Sequence, residues 1–172
     1  GSYFKDVIFT GSTCTVTSGA LNMAGNLTLA SGGTYTAVLP TFLTSATITS
    51  AGKTLGNSAI NGTGITVTLA DAMTVDIAST TTLTSGTLDL AGFTLSTGTF
   101  NSNNSNTRAI TFGAANIALT STTAVVFVIT MGTATGFTWT GTGGFTRNQA
   151  ATAQMEFGST GGSTTNAPNL TV

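Results

Sequence analysis

The sequence predicts an all-β protein: a single parallel β-helix (β-solenoid) of roughly eight short-stranded rungs. Three observations point there: a composition suited to pleated surfaces, short runs that alternate at period two, and an internal repeat. An antiparallel β-sandwich is the alternative architecture.

The composition comes first. The chain has 172 residues, enough for one domain, 1–172, with its own core. Thr is the commonest residue, Gly contributes 22, and 40 % of the chain is hydrophobic. Charged residues make up only 5 %, against about 25 % in ordinary domains. Thr, Val, Ile and Phe favour strands. Thr and Gly are poor helix formers, and the usual helix-forming charged residues are scarce. Disordered chains lack this many β-branched and aromatic residues.

The repeat comes next. Residues 13–25, TCTVTSGALNMAG, align without gaps with residues 80–92, TTTLTSGTLDLAG, at an offset of 67. Eight of the thirteen positions are identical. A further Ala-Gly pair at Ala51-Gly52 resembles Ala91-Gly92. These spacings suit a coil of roughly 20–25 residues per turn.

The strands follow in order. Cys14 and Val16 alternate with three Thr, as Thr81 and Leu83 do. Leu21 and Met23 flank Asn22, as Leu88 and Leu90 flank Asp89. Ile65, Val67 and Leu69 alternate with Thr66 and Thr68, and Val75 and Ile77 with Thr74 and Asp76. Ile110 and Phe112 flank Thr111. Gly86, Gly92 and Gly98 supply corners. Residues 101–107 read as a polar loop and a weak internal boundary. Ala124–Ile129 does not alternate, so it is buried on both sides or covered by another element. Seven of the ten Phe and the lone Trp lie after residue 92. Asn-Gly occurs once and Asp-Gly never, so hairpin signals are sparse. Residues 169–172 read as a strand with no turn after it, and the chain does not begin with Met; a fragment or a processed subunit is expected.

The chemistry is constrained by what is missing. Histidine is absent, which removes His-based nucleophilic machinery and most transition-metal sites. No cofactor, metal or catalytic residue is expected, and the protein reads as a non-enzyme. Asp71 and Asp76 are the nearest approach to a carboxylate pair; their offset of five puts them on opposite faces of one strand, although a bend at Ala72 could bring them together. The net charge is −1 and no basic patch exists, so nucleic acid is not an expected partner. No apolar run is long enough for a membrane helix, so membrane insertion is not expected either. Cys14 is the only cysteine and reads as a small buried hydrophobe.

Three surfaces remain as candidates. Val125, Val126, Phe127, Val128 and Ile129 could form an assembly surface for a lateral homo-oligomer. Phe137, Trp139 and Phe145 could form a glycan-stacking platform, or simply core, since Phe137 and Trp139 share one strand face opposite Thr138 and Thr140. Repeated Thr-x-Thr could form the flat grid that ice-binding proteins present, although the spacing between pairs is irregular; Thr is also the natural outward residue of a low-charge sheet.

Residues 86–113 (GTLDLAGFTLSTGTFNSNNSNTRAITFG), 3–32 (YFKDVIFTGSTCTVTSGALNMAGNLTLASG) and 51–78 (AGKTLGNSAINGTGITVTLADAMTVDIA) resemble the Thr/Ser/Gly-rich structural proteins of marine bacteriophages. Bacterial adhesin-type solenoid repeats look similar. The resemblance implies a fibre, tail or appendage protein at the virion surface or outside the cell, and no catalytic residue. The expected partner is the chain itself, stacked end to end or side by side. A glycan- or host-surface-binding module, adhesin-like, is the alternative, and ice binding a further one.

Overall fold

The structure, a computed structural model, describes residues 2–11, 13–17, 19–35, 38–123, 127–133, 135–147, 149, 154–160 and 169–171. The described residues contain strands β1–β20 in chain order and no helix. Their strand pairings are all parallel, so the chain is a parallel β-solenoid and not an antiparallel sandwich.

Each coil visits three faces. The first face stacks β3 (Gly19–Met23), β6 (Val38–Phe42), the start of β9 (Ser58–Leu69), the start of β11 (Thr80–Asp89), β13 (Thr99–Asn101), β16 (Phe127–Thr133) and β19 (Gln154–Thr160). The second stacks β1 (Val7–Ile8), β4 (Leu27–Thr28), β7 (Ala46–Thr49), the ends of β9 and β11, β14 (Arg108–Gly113) and β17 (Phe137–Gly141). The third holds β2 (Thr15–Val16) and β5 (Thr34–Tyr35), then β8 (Thr54–Leu55), β10 (Met73–Val75), β12 (Leu95–Thr97), β15 (Ile117–Leu119), β18 (Gly144–Arg147) and β20 (Asn169–Thr171). Because β9 and β11 run through the corner between them, the first two faces join into one 12-stranded sheet. The third face is split into a 2-stranded and a 6-stranded sheet, eight levels among the described residues.

Alternation along each strand turns every second side chain into the bore. Parallel register then stacks like on like. On the first face Phe4, Met23, Phe42, Ile60 and Leu83 form one inward column. On the second, Val7, Leu27, Ile48 and Leu69 form another, and on the third Met73, Leu95, Ile117, Phe145 and Leu170. Met23, Leu27, Leu83, Ile110 and Ile117 are wholly buried, each such aliphatic side chain stabilising by about 1.5–3 kcal/mol. Late phenylalanines cluster in the core. Phe145 packs against Phe100, Phe112 and Phe157 with centroids 5.4, 5.6 and 5.8 Å away.

Corners are held by polar side chains reaching to the neighbouring coil. The Asp71 carboxylate accepts the Ser50 and Ala51 N–H groups at 2.8 and 2.6 Å. That fixes Ala51 in the left-handed region, φ 51°, which a non-glycine residue seldom adopts. Asp6 accepts from Asn26 N–H, and Asn26 accepts from Thr47 N–H, a second bracket running up the first corner. Where β11 turns without breaking, Gly86 has φ 87°, and a Cβ there would lie 2.6 Å from the Gly62 carbonyl oxygen.

The 67-residue repeat has a different meaning from the one its offset suggests. Val16 aligns with Leu83 in sequence, but Val16 lies on the third face beside Tyr35 while Leu83 lies on the first beside Ile60. Met23, seven residues after Val16, is the residue in Leu83's column. The repeated unit is therefore one face plus one corner, and 67 residues make whole coils plus one further face. Coil spacing on the first face is 18 from Phe42 to Ile60 and 23 from Ile60 to Leu83. It reaches 29 from Phe100 to Ile129.

Candidate functional surfaces

The assembly and stacking candidates separate once the faces are known. Val128 and Ile129 are wholly buried, so they fill the bore and do not form a lateral assembly surface. Both can point inward despite being adjacent because the β16–β19 register shifts between Phe127 and Ile129. Phe127 pairs with Gln154 through its backbone; Val125 and Val126 lie outside the described residues.

Phe137, Trp139 and Phe145 do not share an exposed platform. Phe145 is 1 % exposed at the centre of the aromatic cluster. Trp139 continues the inward column of Ile110 and meets Phe112 edge-on at 6.4 Å. Phe137 is half-buried beneath the Arg108 guanidinium, 5.5 Å from its ring centre. Large apolar side chains that do reach solvent lie elsewhere: Tyr3 (60 %), Phe4 (49 %) and Ile8 (61 %) are exposed together on the first coil, and Ile77, Phe93 and Leu170 singly on others.

Arg108 is the residue whose environment the sequence hides. It is 1 % exposed. Its Nε donates to Ser102 Oγ, Nη1 to the Asn106 and Thr135 carbonyls, and Nη2 to the Ser102 and Thr133 carbonyls, at 2.6–3.0 Å. One guanidinium thus fastens the polar loop after β13 to the turn after β16. Burial lowers its pKa from the usual arginine value. Its location at the predicted weak boundary makes that boundary a tied corner of the solenoid.

The aspartate carboxylates are engaged in backbone brackets. Asp71 holds the corner described above, and Asp76 and Asp89 accept from Ala78 and Ala91 N–H at 2.9 and 3.0 Å. Among the described residues no group of three or more His, Cys, Asp or Glu gathers, and no helix is long and apolar enough to cross a membrane. Cys14 is half-buried and its thiol lies 3.7 Å from the Tyr35 hydroxyl, which also accepts Ala30 N–H at 2.9 Å. Burial pushes the Tyr35 phenol above its ordinary pKa, against the lowering effect of that backbone hydrogen bond. A groove of ≈ 370 Å³ opens near the split in the third face, lined in part by Tyr35, Leu39, Thr54, Asp76 and Ser79.

Outward residues stack as regularly as inward ones. On the second face Thr47, Thr68, Asp89, Thr111 and Thr140 form one line. Thr66, Thr87, Ala109 and Thr138 form a parallel line two residues earlier on each strand. No register shift interrupts the pairings among these nine positions. No protein-family model matches the chain, and neither the curated proteins nor the solved structures include a match to it.

Proposed function

We propose that this protein is a non-enzymatic structural element, a solenoid rod that stacks end to end in an extracellular fibre, tail appendage or filament. The carrying observation is the first coil. Its inward columns start with Phe4 and Val7, Phe4 itself is open to solvent at the end of its column, and Tyr3 and Ile8 are exposed beside them. β1 pairs only with β4 among the described residues, so one of its edges offers unused backbone donors and acceptors. An apolar cross-section framed by an open parallel edge favours another coil. The scarcity of charge, 5 % of residues, puts little repulsion in the way. A place on a virion surface follows only from the resemblance to phage structural proteins.

Electron microscopy and light scattering of the purified chain over a concentration series test the proposal. The expected result is rods longer than one chain, shortened by the pair Phe4→Asp and Ile8→Lys. A strictly monomeric species at high concentration, or filaments indifferent to that pair, would overturn it.

A further inference from the structure

We propose that the outward side of the second face binds ice. The proposal does not depend on the stacking of chains. Seven of the nine outward positions traced on that face are Thr. All nine are exposed or half-exposed, while Ala46, Val67, Leu88 and Ile110 between them are buried. Hydroxyl and methyl groups therefore repeat in two directions. Up the rod the interval is about 4.8 Å, and between the two lines it is about 6.6 Å, two residues of parallel strand. The interval up the rod lies close to an oxygen–oxygen repeat on the faces of hexagonal ice, and the second direction supplies parallel ranks of the same groups.

Chemistry narrows the ligand further. Thr is β-branched, so its χ1 is restricted and its hydroxyl and methyl are set by the strand beneath. Such a surface is ordered before it meets a ligand and loses little side-chain freedom on binding. No Lys or Arg occupies the nine positions. The single carboxylate, Asp89, has one oxygen turned to the Ala91 N–H at the corner. No outward aromatic ring is available among the nine for stacking on sugars, which argues against a crystalline polysaccharide. The other faces lack the pattern. The first face carries Asn22, Thr41, Ala59, Thr82, Asn101, Thr130 and Glu156 in its outward line. The third carries one line, Thr54, Thr74, Ser96, Ala118, Thr146 and Thr171, on short strands.

The test is partition of fluorescently labelled full-length chain into a slowly grown ice hemisphere, with thermal hysteresis measured alongside. Wild type should enter the ice. Thr68→Tyr and Thr111→Tyr should fall to the level of a non-binding control protein, and Thr74→Tyr on the third face should bind as wild type does. Asp89→Thr with Ala109→Thr completes the grid and should raise hysteresis above wild type. Circular dichroism and melting temperature establish that each variant is folded, and the gain-of-grid pair keeps the test decisive if a tyrosine variant does not fold. Exclusion of both wild type and the completed grid from ice would overturn the proposal. So would equal loss in Thr74→Tyr and Thr111→Tyr, or retention on crystalline chitin or cellulose without ice binding.

Discussion

Replacing Gly86 and Gly92 by alanine, one at a time, separates two costs that corner glycines usually carry together. Their backbones are nearly the same, with φ 87° and 88°. Their surroundings differ. An added Cβ at Gly92 meets nothing within 4 Å, whereas at Gly86 it would lie 2.6 Å from the Gly62 carbonyl oxygen and 2.7 Å from Ile65 Cγ1. Gly92→Ala should therefore cost only left-handed strain, about 1–2 kcal/mol. Gly86→Ala carries the same strain and must also push back the β9 backbone, adding about 1–3 kcal/mol in the manner of an overpacked core. Equilibrium urea unfolding, followed by circular dichroism with the m-value compared across variants, reads both losses. Gly86→Ala should have the lower midpoint. Equal losses, or a larger one at Gly92, would refute the argument that β11 turns its corner by backbone-to-backbone approach.

Arg108→Met removes five donated hydrogen bonds and leaves the Ser102, Asn106, Thr133 and Thr135 carbonyls to find other donors. It should destabilise by about 2–4 kcal/mol and speed amide hydrogen exchange at residues 102–107, with unchanged exchange there counting against the clamp. Tyr35 gives a pH dependence with a definite sign: its phenol is raised in the folded state, so its contribution is intact below about pH 10 and declines as pH climbs through the folded value. Thermal melts from neutral to strongly alkaline pH should show a steeper decline in wild type than in Tyr35→Phe, and parallel curves would remove Tyr35 as the cause.

Much of the architecture can be read from alternation alone. Val67 and Leu69 against Thr66 and Thr68 already separate core from surface, and parallel pairing merely repeats that choice upward. The phase of the coil is not readable in the same way. Three similar faces give a sequence repeat shorter than the coil, so the alignment of 13–25 with 80–92 joins different faces. The Thr grid is obscured for a related reason. Thr66, Thr87 and Thr138 are unevenly spaced in the chain, and only corners of different length bring their lines into register. Arg108 looks isolated because its acceptors lie 2 to 27 residues away and are mostly main-chain carbonyls, which no side-chain motif announces. Val128 and Ile129 escape the period-two rule because a register shift rotates one of them inward.

The uneven coil spacing also governs how such a chain can change over generations. An inserted residue within a strand would turn every later side chain of that strand inside out, whereas one at a corner lengthens a loop and leaves the next level where it was. Between Phe100 and Ile129 the connection already absorbs eleven more residues than between Phe42 and Ile60, while the paired positions remain paired. Insertions and deletions should therefore accumulate at the three edges of the prism. Relatives compared at a fixed period will drift out of step there, even where their flat sides superpose.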